Sequence, residues 1–449
     1  MLFERPAAEA RSNVDGSNAL PGTAIERTMI RRGARLVALM QDDLGPRRSV
    51  TLPAVVPPEV ASAQRGGDRL RVLFVGNTTY HLPLDRTLAR KWDGVGSNLE
   101  IRVLGAAGRC TASDPRFMLL SAGGAPFLLR ALPALARLLR SWRPDVVVAK
   151  SPYEGAVVEL VRRVVPAPKT RLVVEVHGDW RSASRFYGSS RRRLIAPLAD
   201  RVAAWGLRSA DATRALSDWT ASLVRETTGR PPAAIFPTYF DLTSFVADKP
   251  RVLPQQPQVL WVGALQPVKN VDALVGAWRL VAQRLPDARL AIVGDGPLRP
   301  QIAELVAAAP DRVVHHARLT PVEVAAIMDA STALFLPSLS EGLGRVVLEA
   351  FQRARPVVGS SVGGICDLVM PEESGLLREP HDVAGFAADL VRLLADRPLA
   401  ARMGQAGHRS ISQQAPWTSE RYADEVRKMV TAALEAPDGA AAAGRVTAP

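Results

Sequence analysis

STALFLPSLSEGLGRVVLEAFQRARPVVG, residues 331–359, holds a strand, a loop and a helix in one stretch, and that order decides how the remaining chain is read. The apolar run Ala333 to Leu336 is closed by Pro337. Leu343, Val346, Val347, Ala350 and Ala354 then fall at the i, i+3, i+4, i+7 and i+11 positions of one helical face. Arg355-Pro356 stops the helix, and Val357 and Val358 open another strand. The loop carries Glu341, Gly342 and Gly344, so bare backbone N–H groups stand at a helix N-terminus, where the partial positive charge favours a phosphate. Glu349 follows Glu341 by eight residues. If both were helical, they would lie about 12 Å apart along the axis, roughly the span of a sugar nucleotide with its diphosphate in the middle. A plainer reading stands beside this one. Glu341, Arg345, Glu349 and Arg353 are spaced four apart, as in the ion-pair ladder of a solvated helix face, worth about 0.2–0.5 kcal/mol per pair.

At 449 residues the chain exceeds what one core fills, so two domains plus extras are expected. A hydrophobic share of 47% with 22% charged residues describes a soluble globular protein. No run approaches the roughly 20 apolar residues that cross a bilayer, and MLFERPAAEA lacks the apolar core of a signal peptide. A cytoplasmic protein is the expectation. Cys110 and Cys366 are the only cysteines, which suits a reducing compartment and argues against a disulfide framework or a cysteine-rich zinc site. The net charge of +13 suits nucleic acid, an anionic membrane surface or negatively charged small substrates. Nucleic acid is disfavoured, because aromatic and basic residues do not interleave as a base-stacking platform requires. A GC-rich genome, favouring Ala and Arg, would account for much of the same excess.

Residues 1–65 hold little periodic apolar pattern and read as a poorly ordered extension with one helix near 24–41. From 66 to 250 the chain alternates. Strands are predicted at 70–75, 99–104, 145–149, 171–176 and 211–216, with helices at 125–142, 153–163 and 190–208. Pro237, Pro250, Pro254 and Pro257 punctuate a linker. Alternation resumes over 251–415, a last amphipathic helix occupies 416–435, and the tail 436–449 is of low complexity. Such alternation means two parallel, doubly wound sheets, with the ligand crevice at the C-terminal ends of the strands.

Gly294-Asp295-Gly296 follows a strand and precedes a helix, yet Arg299 occupies the place of the third glycine in a dinucleotide fingerprint, so an oxidoreductase is a minor alternative. Gly263 to Asn270 joins strand to helix, and Lys269 at the mouth of the crevice is placed to hold a diphosphate; alone it also reads as a surface lysine. Strand 171–176 ends in His177-Gly178-Asp179, where an imidazole can meet a sugar hydroxyl or phosphate with either nitrogen, or sit structurally on a loop carbonyl. Arg345 and Arg181 add positive charge near the same crevice or stand in solvent.

Together these pieces resemble the retaining glycosyltransferases of family 4, the glycosyl transferases group 1 type. Gly263 with Lys269, VGDGPLR at 293–299, PSLSEGLGRVVLEA at 337–350 and VGG at 362–364 carry the likeness in the second half. HGD at 177–179, ADATRALSDWTASLV at 210–224 and FPTYFDLTSF at 236–245 carry it in the first. The resemblance covers about residues 70–435 and implies the GT-B fold, two Rossmann-like domains facing a central cleft. It implies that Glu349 binds the ribose hydroxyls and Glu341 lies beside the donor sugar. Lys269 would meet the diphosphate with the amides of Gly342, Leu343 and Gly344, and His177 would approach the sugar C6 hydroxyl or the reaction centre. The last helix would brace the first domain.

Three departures stand out. Ala264 replaces a common arginine, leaving a phosphate contact to Arg345 or Arg318; Gly76-Asn77-Thr78-Thr79-Tyr80 replaces a glycine-rich loop; Thr238-Tyr239 replaces a common asparagine. No Asp-x-Asp pair occurs, so no metal or other cofactor is expected, and lysine and helix amides would stabilise the leaving phosphate. The expected partners are a nucleotide sugar and a saccharide, lipid-linked or small-molecule acceptor. Arg130, Arg137, Arg140, Arg143 and the run Arg191 to Arg193 allow contact with an anionic membrane at the inner face of the plasma membrane, or ordinary solvated helix faces. An epimerase or phosphorylase of the same fold, and a catalytically weak sugar-nucleotide-binding protein, are the competing readings.

Overall fold

The structure, a computed structural model, describes residues 69–121, 125–165, 169–186, 190–247, 249–413 and 416–437. The extension over 1–65 with its expected helix at 24–41, and the tail from 438, lie outside the described residues.

The first sheet has seven parallel strands in the order β3-β2-β1-β4-β5-β6-β7. They are β1 (Arg71–Leu82), β2 (Glu100–Cys110), β3 (Phe117–Leu120), β4 (Val146–Ala149), β5 (Arg171–Val176), β6 (Ala212–Ala215) and β7 (Ala234–Ile235). Helices α1 (Arg86–Asn98), α2 (Ala125–Ser141), α3 (Pro152–Val164), α4 (Ser182–Phe186), α5 (Ser190–Arg208) and α6 (Asp218–Thr228) connect them. All four residues of β4 are buried, as a strand covered on both faces requires. Leu73, Val147 and Leu172 face a core shared with α2 and α3; Phe74, Val148 and Val173 face one shared with α1.

The second sheet has six parallel strands in the order β10-β9-β8-β11-β12-β13. These are β8 (Gln258–Val262), β9 (Arg289–Val293), β10 (Val313–His316), β11 (Ala333–Leu336), β12 (Val357–Ser360) and β13 (Gly375–Arg378). Around them lie α7 (Val271–Arg284), α8 (Arg299–Ala308), α9 (Pro321–Asp329), α10 (Arg345–Gln352), α11 (Gly364–Leu368), α12 (Val383–Ala395) and α13 (Arg397–Ser412). The strand order reverses between β1 and β4 in one sheet and between β8 and β11 in the other, which sets a crevice at each switch point.

The chain passes between the sheets twice. Phe236 and Tyr239 belong to the first core and Phe245 to the second. Arginines cap the carbonyls of the crossing: Arg355 donates to Arg251 O at 2.9 Å and Val252 O at 3.0 Å, and Arg353 to Phe245 O at 3.4 Å. On the return, Trp417 Nε1 donates to Thr238 O at 3.2 Å, and α14 (Ser419–Glu435) lays Tyr422, Val426, Met429 and Val430 into the core beside Phe74.

Two local expectations change. Gly76 to Tyr80, read as standing where a loop should be, continues β1 as strand, with a register irregularity between Val75 and Thr79, and Tyr80 is buried. Helix α1 was not legible, because Gly94 and Gly96 interrupt it and its buried face is carried largely by Trp92 and Val95.

Candidate active site

The second sheet supplies one wall at its switch point. Gly294 has φ +144°, and a Cβ there would stand 1.7 Å from Gly263 O. The Gly-Asp-Gly stretch is thus the means by which the loop after β9 closes on the loop after β8. Leu339 N donates to Val268 O at 2.8 Å, tying the turn that carries Lys269 to the loop after β11. Lys269 Nζ donates to Glu341 Oε2, and Ser338 Oγ reaches the same oxygen at 3.4 Å. Helix α10 begins only at Arg345, behind Gly344 at φ +81°, and no side chain caps it. Glu341 therefore lies in the loop, and the 12 Å axial separation, which assumed both glutamates on the helix, does not apply.

Glu349 is 4% exposed on α10, and Arg345 Nε contacts its Oε1 at 2.8 Å from an exposed position. Burial pushes the Glu349 carboxyl above its ordinary range, against the pull of Arg345. The four-spaced charges thus divide: Arg345 and Glu349 form one rung of a ladder, Glu341 turns to Lys269, and Arg353 turns inward to Asp329. Ala264 and Arg318 are exposed on their loops.

The first sheet supplies the facing wall. His177 follows β5, and its Nε2 lies 2.9 Å from Glu175 Oε2. Glu175 is wholly buried and accepts from Lys150 Nζ at 2.8 Å and from Arg214 at 2.6 Å. Those two cations hold its carboxyl well below the usual range, although burial opposes them. Enclosure lowers the His177 pKa, and Glu175 pulls it back up. Arg181 donates to Asp179 at 2.7 Å. Lys150, Glu175 and Arg214 were not singled out from the sequence; the available signal was Glu175 inside RLVVEV, Arg214 inside ATRA and Lys150 directly after VVVA.

The walls meet at Gly342. A Cβ there would lie 1.9 Å from His177 O, so only glycine lets the loop after β11 seat on the loop after β5. Ser217 Oγ donates to Gly342 O at 2.9 Å, Ser182 Oγ lies 3.2 Å from Ser340 Oγ, and Trp219 N donates to Asp367 at 3.0 Å. Beside this seam opens a cleft of about 560 Å³, lined among others by Asp179, Ser182, Arg185, Trp219, Ser340 and Asp367. Lys269, Glu341, Gly342 and His177 are brought together. Glu349 and Arg345 stand on the helix that follows that loop, and Gly263, directly after β8, donates its N–H to Val293 O at 3.0 Å.

Known proteins share this architecture. The Glycosyltransferase Family 4 profile matches residues 86–243 and that of the Glycosyl transferases group 1 matches residues 256–396. A 2-deoxystreptamine glucosyltransferase of Streptomyces kanamyceticus is 30% identical over 60% of this chain and 73% of its own. A glycogen synthase of Mycobacterium tuberculosis is 29% identical over 62% of this chain and 67% of its own. Among solved structures, sucrose-phosphate synthase from Thermosynechococcus elongatus superposes with a TM-score of 0.64 at 20% identity, covering 81% of this chain and 98% of that one. HepE from Anabaena, solved with UDP-glucose, gives 0.60 at 16% identity over 81% and 100%. The chain belongs to glycosyltransferase family 4, the glycosyl transferases group 1 type, and has the GT-B fold.

Proposed function

We propose that this chain transfers a sugar, with retention of anomeric configuration and without a divalent metal, from a nucleotide sugar to a hydroxyl of a saccharide, lipid-linked or small-molecule acceptor. The observation that carries the reading is the convergence of Lys269, Glu341 and the uncapped N-terminus of α10 at the switch point of the second sheet, opposite His177. Glu349 takes the ribose hydroxyls. Lys269 and the amides of Gly342, Leu343 and Gly344 take the diphosphate, and Glu341 lies beside the sugar. The ammonium of Lys269 rests on Glu341, so donor binding must share or break that pair. As the phosphate leaves, the lysine and the helix N-terminus stabilise its growing charge. The departing phosphate oxygen accepts the acceptor's proton on the same face of the sugar. The solved relative holding UDP-glucose supports the donor class, and the glucosyltransferase relative supports hexose transfer.

The cleft beside Gly342 is the acceptor's approach. Among the described residues no group of three or more His, Cys, Asp or Glu side chains is placed as a metal site, and no helix is long and apolar enough to cross a membrane. Leu129 on α2 and Leu194 and Leu198 on α5 are exposed, as are Arg130, Arg137, Arg140 and Arg143. This mixture supports peripheral contact with an anionic bilayer in the cytoplasm; the side chains of Arg191 to Arg193 lie outside those described. Flotation with phosphatidylglycerol vesicles tests it, and loss of Leu194→Ser/Leu198→Ser protein from the floating fraction is expected.

A thermal-shift screen of nucleotide sugars, on the wild type and on Glu349→Ala, tests the central reading. A donor that raises the melting temperature of the wild type and not of the variant is expected. No response from the wild type defeats the reading. Product NMR then reads the anomeric configuration, with and without EDTA; inverted product, epimerised donor or phosphate-dependent cleavage each overturns the proposed reaction.

A further inference from the structure

We infer that Glu175 is a positioning residue that holds His177 in one tautomer, with the proton on Nε2 and a bare Nδ1 left as an acceptor for a sugar hydroxyl. The inference rests on the sugar transfer proposed above, in which His177 stands opposite the donor-binding groups.

Glu175 stands two residues before His177, on the face of β5 that looks toward α1 and α14. Its carboxylate accepts from Lys150 Nζ and His177 Nε2 on one oxygen, at 2.8 Å and 2.9 Å, and from Arg214 on the other, at 2.6 Å. Among the described residues Lys150 and Arg214 pair with no carboxylate besides Glu175, and burying two cations around one carboxyl forces it to stay ionised. An ionised carboxylate has no proton to give, so the imidazole must donate through Nε2. Partial desolvation, with the nearby charges of Lys150 and Arg214, disfavours a second proton on the ring and leaves Nδ1 unprotonated. The ring is exposed to solvent, while its Glu175 partner has no exposure.

The groups facing this ring through the cluster come from every element packed there: Lys150 just after β4, Arg214 from β6, Lys91 from α1, Tyr80 from β1 and Tyr422 from α14. Lys91 is itself buried over the Trp92 and Tyr422 rings, at 4.9 Å and 5.4 Å, and that burial drives its pKa well down. None of these neighbours except Glu175 accepts from His177 among the contacts of the described residues. A bare Nδ1 accepts a hydroxyl proton and repels an anionic oxygen. His177 is thereby assigned to a sugar hydroxyl, and the phosphate is left to Lys269.

Two measurements on the full chain test this. The first is the ¹⁵N spectrum of histidine-labelled protein, with the His177 signals identified by their loss in His177→Gln. The expected pattern is a protonated Nε2 and an unprotonated Nδ1 at neutral pH; a proton on Nδ1, or on both nitrogens, overturns the inference. This readout does not depend on turnover, so it fails or succeeds separately from the donor screen. The second is a double-mutant cycle in kcat. Glu175→Gln keeps the side-chain shape but offers an amide proton to Nε2, and a mis-set tautomer is expected to lower kcat on the order of 10²-fold or more. In the His177→Ala background the same change should cost nothing further. An equal loss in both backgrounds makes Glu175 merely structural and sinks the assignment. Should Glu175→Gln not fold, the spectrum of the wild type decides alone.

Discussion

Glu349, proposed for the donor's ribose, is buried at some cost to the fold. Lys269 rests on Glu341, whereas Glu349 is buried with Arg345 as its ion-pair partner. Because burial raises the Glu349 pKa, the group contributes most to folding stability below the ordinary carboxyl range, and that contribution is lost as pH rises through the higher folded value. In the ionised form at about pH 8 it is therefore a net cost to the empty protein. Glu349→Gln should stabilise the unliganded chain by about 0.5–2 kcal/mol at that pH, with the gain shrinking toward about pH 4. The same variant should lose the thermal shift produced by donor. Differential scanning calorimetry across pH checks both, and a gain that does not fall on acidification would show that ionised Glu349 is not the source. At this scale the sequence placed Glu341, Lys269 and His177 at strand-to-helix junctions marked by glycine, and the structure brings those junctions together. Glu175 and Arg214 were not legible, since nothing in RLVVEV or ATRA tells which charge meets which.

Among the elements, α14 is the one whose place depends most on distant chain. It follows the second sheet in sequence and buries Tyr422, Ala423, Val426, Met429, Val430 and Ala433 against the first. Tyr422 packs with Phe236, Tyr239 and Trp417 at centroid separations of 6.0 to 6.1 Å and also stands over the charged cluster beneath His177. Tyr422→Ala should cost about 3–5 kcal/mol, and the loss should fall on the transition of the first sheet. Denaturant unfolding followed by fluorescence of Trp92 and Trp142 in the first half, against Trp261 and Trp278 in the second, separates the two; a matching shift in the second would mean that α14 braces both. The amphipathic period of 418–435 predicted this helix, and only the likeness to family 4 supplied its direction. Helix α1, which it covers, was missed because glycines break its pattern.

At the scale of the molecule, the two sheets close on one another through contacts of small residues: Gly342 on His177 O, Ser217 on Gly342 O and Ser182 on Ser340. Such a seam holds few apolar side chains and is suited to opening for substrate and closing for chemistry. A Ser182→Cys/Ser340→Cys pair, in a Cys110→Ser/Cys366→Ser background, should cross-link under oxidation and suppress multiple turnover, with activity restored by reductant. Free turnover in the fully cross-linked protein would mean that the seam need not open. By itself the sequence determined the two β/α units, the break between them and the glycine-marked junctions, because hydrophobic period and backbone sterics act over a few residues. Only the tertiary structure decided that Glu341 takes Lys269, that Arg353 leaves the ladder for Asp329 and that a buried carboxylate held by Lys150 and Arg214 stands behind His177. Those pairings join residues up to 72 positions apart, and which charges meet is set by the packing of whole sheets and helices, where burial makes an unpaired charge costly.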